Sequence, residues 1–140
     1  MKIEEQVLSI EQMKHLQELG VDTSDASMVW IKQDSTLLPD NIKELWLVDT
    51  YHDFLKPMVE QEDSDFVQTY TIGDLIEKLP KQIGWYKLSF CWENECVEYD
   101  NRISEEVTDY IGDFNFEYRP LIEALYDCLC WVAENHKELL

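Results

Sequence analysis

The chain has 140 residues, of which 45% are hydrophobic, and this is enough for the core of one domain without metal or disulfide cross-links. Thirty Asp and Glu residues outnumber eleven Lys and Arg residues, so the formal net charge is −19. Such an acidic surface repels phosphate backbones and anionic lipids, which argues against direct nucleic-acid or membrane binding. We expect a single domain over residues 1–140. Its protein partner, which the sequence does not identify, would be basic if charge guides binding, although the acidity could also serve solubility alone.

Two features bear on the compartment. Residues 1–5 lack the charged and apolar regions of a signal peptide, and no run approaches the roughly 20 apolar residues that span a bilayer. We therefore expect a cytoplasmic protein. There the four cysteines should remain thiols: Cys91, Cys96, Cys128 and Cys130.

The first predicted element is a helix over residues 10–19. Ser9 is a suitable N-cap, and Gln12, three residues later, completes a capping box. Gly20 stands where a helix commonly ends in a left-handed residue.

Three strands are predicted next, over residues 27–33, 44–50 and 66–70, because these runs are rich in β-branched and aromatic residues. A short helix beginning near Asn41 is an alternative for the second of them. A second helix follows over residues 72–79, with Thr71 as its N-cap. Pro80 ends this helix.

Residues 85–100 form the clearest hairpin. With Glu93 and Asn94 as the turn, Phe90 pairs with Val97, and the two faces separate. The apolar face carries Tyr86, Leu88, Phe90, Trp92, Val97 and Tyr99. The polar face carries Lys87, Ser89, Cys91, Cys96, Glu98 and Asp100. A half-buried antiparallel pair has this pattern, although a longer loop is possible.

The remainder of the chain contains an acidic segment and a strong helix. Ser104 could cap a short helix through Tyr110. Pro120 suits the first turn of the last helix, which is apolar around most of its circumference and is therefore predicted to be buried. The fold class that follows is α+β: an antiparallel sheet of about four to five strands, with an N-terminal helix, a middle helix and a long buried C-terminal helix packed on one face.

The candidate interaction surface consists of Trp85, Cys91 and Cys96. In the predicted register Cys91 and Cys96 face each other at about 4.5–5.5 Å between Cβ atoms. We expect two reduced thiols here, and a redox-labile disulfide is the alternative, because this separation is near disulfide distance. Trp85 lies on the polar face, and an exposed tryptophan beside these cysteines could mark a contact surface. Core packing accounts for most of the other tryptophans.

No catalytic, cofactor or metal site is predicted. The sequence contains no C-x-x-C pair, and its histidines are scattered, so it lacks zinc-ligand spacing. The acidic residues 60–65 lack the glycine and terminal glutamate of a calcium loop. Glu105, Glu106 and Asp109 could gather a hard cation on a helix, but a solvated acidic surface also explains them.

Three segments together resemble a known group of proteins: residues 5–21 (EQVLSIEQMKHLQELGV), 70–80 (YTIGDLIEKLP) and 121–135 (LIEALYDCLCWVAEN). They are similar to short proteins of unknown function encoded by prophages and other mobile elements of gut commensal bacteria. The resemblance covers about half the chain and rests on caps and apolar stripes. It implies a small accessory protein and supplies no activity, cofactor or site residue.

Three functions remain open at this point. The first is a non-enzymatic accessory protein that acts through protein–protein interaction. The second is an acidic DNA mimic, because residues 93–127 contain eleven acids and two bases, a net charge of −9. A mimic needs its carboxylates spaced like phosphates. The third is a carboxylate- and metal-dependent enzyme, which needs acids converging in a pocket.

Overall fold

The computed structural model describes residues 2–33, 45–50 and 65–140. Three α-helices lie in these residues: α1 (Ile10–Glu18), α2 (Ile72–Lys78) and α3 (Leu121–Asn135). The strands are β1 (Met28–Gln33), β2 (Leu45–Thr50), β3 (Phe66–Thr69), β4 (Gln82–Ile83), β5 (Tyr86–Cys91), β6 (Cys96–Arg102) and β7 (Thr108–Asn115). Short 3-10 helices span Ile3–Glu5 and Lys137–Leu139.

The strands form two antiparallel sheets. One has the order β2-β1-β3 and the other β4-β5-β6-β7. The α+β class, the antiparallel pairing and the three helices are confirmed. The strands are nevertheless divided between two sheets, whereas the sequence predicts one. The division occurs at α2, because that helix separates β3 from β4 and the chain then begins a new ladder.

Local signals define the ends of α1 as predicted. The Ser9 Oγ accepts a hydrogen bond from the Gln12 backbone N–H at 3.2 Å, and the Ser9 N–H donates to Gln12 Oε1 at 2.9 Å. At the other end Gly20 has a φ of +87°. This conformation lets the Val21 N–H donate to the Leu16 carbonyl at 3.0 Å, the long hydrogen bond of a Schellman motif.

The last helix, α3, is the central element, as predicted. It contacts β6 and β7 on one side and α1 and α2 on the other. Its buried residues are Ile122, Ala124, Leu125, Cys128, Leu129, Val132 and Ala133. They join side chains of the other two helices and of the four-stranded sheet in one hydrophobic cluster. No helix in the described residues has the length and apolar character needed to cross a membrane.

The β5–β6 hairpin has the predicted register but a longer turn. Cys91 is opposite Cys96, and a four-residue loop, Trp92–Glu95, connects them. A two-residue turn at residues 93–94 would require positive φ at both positions in its commonest form, whereas the longer loop needs it only at Glu95, with a φ of +49°. Trp92 consequently leaves the core and is 67% exposed, so its predicted position on the buried face is wrong.

Residues 104–110 form a turn and a strand instead of the short helix considered from the sequence. The Ser104 Oγ accepts a hydrogen bond from the Val107 N–H at 3.1 Å and so closes a tight turn, an alternative that serine side chains offer to helix capping. The chain then reverses, and Thr108 pairs with Arg102. Pairing with β6 therefore outweighs the weak helical signal.

Candidate functional site

Trp85 lies in the two-residue turn between β4 and β5, where Ile83 pairs with Tyr86. The other turn residue, Gly84, has a φ of +59°, as tight hairpins of this length require. The Trp85 side chain is 81% exposed. The turn thus presents a large apolar ring to solvent at one end of the four-stranded sheet.

An apolar hollow of about 520 Å³ opens beside Trp85. Ile111 lines it from β7, at a β-bulge where Tyr99 pairs with Gly112 and Asp100 with Tyr110, so that Ile111 is left without a partner in the ladder. The remaining walls are formed by the turn and by the segment after α3: Ile83, Gly84, Tyr86, His136, Glu138 and Leu139. The Tyr86 hydroxyl donates to Asp109 Oδ2 at 2.6 Å, which holds one wall in place.

Further apolar side chains are exposed at the same end of the sheet. Lys87 pairs with Asp100, so the residues before Lys87 lie level with those after Asp100 on the neighbouring strand. The β6–β7 turn therefore shares this end, and its Ile103 and Val107 are 64% and 52% exposed. We define the Trp85 surface as Trp85, Ile103, Val107 and the apolar hollow.

The structure does not bring Trp85 together with the two cysteines. Cys91 is six residues further along the extended chain, which corresponds to roughly 20 Å at about 3.3 Å per residue. Cys91 and Cys96 do face each other, at the opposite end of β5. The sequence-predicted surface thus consists of two separate features, and its role in interaction stays a prediction.

A carboxylate that the sequence interpretation did not include joins the cysteine pair. The Cys91 Sγ, the Cys96 Sγ and a carboxylate oxygen of Glu98 all lie within 4.8 Å of one another. Cys96 is 5% exposed and Glu98 is 8% exposed, and the Cys96 Sγ donates to Glu98 Oε2 at 3.4 Å. The available signal was the C-x-E spacing, since alternate residues of a strand share a face. We name Cys91, Cys96 and Glu98 the Cys–Glu cluster.

Burial shapes the electrostatics of this cluster. Desolvation, and then the hydrogen bond to Glu98, raise the pKa of the Cys96 thiol to about 12. Desolvation also raises the pKa of Glu98, with further contributions from Asp100 and Asp113. Asp113 lies directly opposite Glu98 in the β6–β7 ladder, where two like charges destabilise each other. Val97 and Tyr99, which alternate with these residues, lie in the hydrophobic cluster. The opposite face of the four-stranded sheet thus concentrates acidic groups around a buried centre.

A second hollow, of about 440 Å³, lies beside α2 and contains acidic and basic side chains. Two of its three acids, Asp74 and Asp25, already have structural partners. Asp74 completes the α2 capping box and accepts from the Ser27 hydroxyl at 2.6 Å. Asp25 accepts from the Tyr70 hydroxyl at 2.5 Å and from Lys78 at 3.1 Å. These bonds assign Asp74 and Asp25 a role in holding the fold together.

The remaining acidic candidates do not form a site in the described residues. The predicted helix that would gather Glu105, Glu106 and Asp109 is absent here, because the two glutamates lie in the β6–β7 turn and Asp109 lies in β7. In the acidic run of residues 60–65, only Asp65 is described. The prediction for the rest of that run concerns residues outside the described part of the chain.

Comparisons with protein-family models, with curated proteins and with solved structures gave no match. No family is therefore assigned, and a function has to be inferred from the geometry of the chain itself.

Proposed function

We propose that this chain is a non-enzymatic accessory protein that binds another protein through the Trp85 surface, and that its partner presents a basic segment with an apolar side chain for the hollow. The observation that carries the proposal is the 81% exposure of Trp85 beside an apolar hollow of about 520 Å³. The origin in a phage or mobile element rests on the sequence resemblance alone.

Burial of the Trp85 side chain would supply much of the binding free energy. An aromatic side chain buries about 150–250 Å² when it is fully covered, and tryptophan is enriched among the residues that contribute most to binding. Exposed in the free protein, Trp85 gains this burial only when a partner covers it. Trp85 is therefore expected to contribute about 2 kcal/mol or more to the binding free energy, a typical value for such a residue.

The chemistry of the partner follows from charge. The Trp85 surface has Glu138 in the wall of its hollow and Glu105 and Glu106 in the adjacent turn, against Arg102 at the end of β6. The whole chain has a net charge of −19, which steers basic partners towards it and repels acidic ones. A basic segment with one apolar anchor matches both the charge and the hollow.

The test is affinity capture from a lysate of the source organism, with three immobilised proteins: the wild type, Trp85→Ser and Trp92→Ser. Trp92 is the matched control because it is also an exposed tryptophan, 67% accessible, at the other end of the same hairpin. The proposal predicts a partner that the wild type and Trp92→Ser retain and that Trp85→Ser loses. Binding of the purified partner to Trp85→Ser should be at least about thirtyfold weaker, the factor that corresponds to about 2 kcal/mol.

Two results would contradict this assignment. A partner retained equally by all three proteins would place binding elsewhere. A basic DNA-binding protein that is released as salt rises, is displaced by duplex DNA and does not respond to Trp85→Ser would support DNA mimicry instead.

A further inference from the structure

The Cys–Glu cluster has the geometry of a small metal site. In a tetrahedral zinc site with zinc–sulfur bonds of about 2.3 Å, neighbouring ligand atoms are about 3.7 Å apart. The three ligand atoms here lie within 4.8 Å of one another, so adjustments of about 1 Å or less bring them onto a common ion. The two cysteines are at the ends of paired strands and Glu98 is two residues along β6, so the sheet itself holds all three.

Burial and charge supply an independent reason for a cation at this place. Glu98 is more than nine-tenths buried, and in the described part of the chain its side-chain partners are the weak Cys96 thiol and the Asp100 carboxyl, neither of which is a cation. Among the described residues, no salt bridge involves Glu98. Asp113 lies opposite it on β7. A buried carboxylate is costly without a cationic partner, and a metal ion would compensate it.

The ligand set selects the kind of metal. Two thiolates favour soft or borderline ions and disfavour calcium and magnesium, which prefer an all-oxygen shell. Two sulfurs, one carboxylate oxygen and one open position correspond to a tetrahedral zinc ion with three protein ligands. Cys91 is partly exposed, so the ion has a route from solvent.

We propose that Cys91, Cys96 and Glu98 form a zinc-binding site on the face of the four-stranded sheet opposite the one packed on α3, with the fourth coordination position open to water or to a ligand atom of a partner. Binding forms two zinc–sulfur bonds and one zinc–oxygen bond, and the two thiol protons are released to solvent. The ion links β5 to β6 beside the hairpin loop. This site is independent of the Trp85 surface.

The experiment uses the untagged, reduced full chain. Zinc affinity is measured by competition with a chromophoric chelator, and cobalt(II) is titrated as a spectroscopic probe. We expect one ion per chain, together with the thiolate-to-cobalt charge-transfer band and the visible bands of a tetrahedral site. Cys91→Ser should weaken zinc binding by at least about tenfold and reduce the charge-transfer band.

Two further variants make the test specific. Glu98→Gln keeps the shape of the side chain and removes the ligand charge, so it should also weaken zinc binding. Cys130→Ser is the matched control, because Cys130 is a partly buried thiol on α3 outside the cluster, and it should bind zinc like the wild type. The proposal is overturned if the wild type gives no stoichiometric binding and no cobalt–thiolate band, or if folded Cys91→Ser and Glu98→Gln bind as tightly as the wild type.

Discussion

Two glycines near the ends of helices predict opposite effects of the same substitution. Gly20 follows α1 with a φ of +87°, a left-handed conformation that costs an L-residue about 1–2 kcal/mol. Gly73 lies inside the first turn of α2, where alanine is preferred to glycine by about 0.5–1 kcal/mol. Gly20→Ala should therefore lower the free energy of unfolding, and Gly73→Ala should raise it.

Steric contacts leave these signs unchanged. A Cβ at Gly73 would have the Thr71 Oγ1 as its nearest neighbour at 3.7 Å, which is an ordinary van der Waals distance. A Cβ at Gly20 would meet the end of the Lys137 side chain, and this exposed chain can swing away. The backbone term thus dominates at both positions, and the two variants should differ by about 1.5–3 kcal/mol.

Urea unfolding followed by tryptophan fluorescence measures this difference. With an m-value of about 2 kcal/mol per molar urea, the two midpoints should differ by about 1 M, at unchanged m. Two results would contradict a dominant backbone effect: Gly20→Ala as stable as the wild type, or Gly73→Ala less stable than the wild type by about 0.5 kcal/mol or more. The second limit equals the lower end of the expected gain of about 0.5–1 kcal/mol.

Two further predictions concern α3 and are checked by the same unfolding assay. Leu129 is 0% exposed, so Leu129→Ala should lower the free energy of unfolding by about 2–5 kcal/mol. Leu139 is 44% exposed, so the control Leu139→Ala should change the free energy of unfolding by less than about 0.5 kcal/mol. Equal effects of the two substitutions would contradict the central position of α3. Burial raises the pKa of the Cys128 thiol from 9.0 to about 12, so the thiol loses its proton in the unfolded state at a lower pH than in the folded state. The contribution of the buried thiol to stability is therefore present below pH 9 and is lost as pH rises towards 12, at up to about 1.4 kcal/mol per pH unit. Cys128→Ala should make this alkaline loss less steep, and an unchanged slope would show that the thiol does not contribute to it.

The local elements of this chain were largely predictable. Helix caps depend on residues at most three apart, so the Ser9–Gln12 capping box and the Thr71 N-cap indicate helix starts from sequence alone. The two faces of the β5–β6 hairpin likewise determine its register, because a one-residue slip would move the apolar side chains to the polar face. The circumference of α3 is mostly apolar, and a helix without a polar side for solvent is predicted to be buried.

The arrangement of the candidate sites was decided by tertiary structure. Pairing of β7 with β6 turned an ambiguous acidic segment into a strand. Glu98 is buried, although the sequence pattern marks its sheet face as polar. A bulge left Ile111 outside the ladder and placed it beside the Trp85 turn. The sequence alone determined the caps, the periodicities and the α+β class, because these depend on neighbours a few residues apart. Only the folded chain decided the two-sheet division, the separation of Trp85 from the cysteines and the approach of Glu98 to them, because these depend on which strands become neighbours and on how far each strand extends.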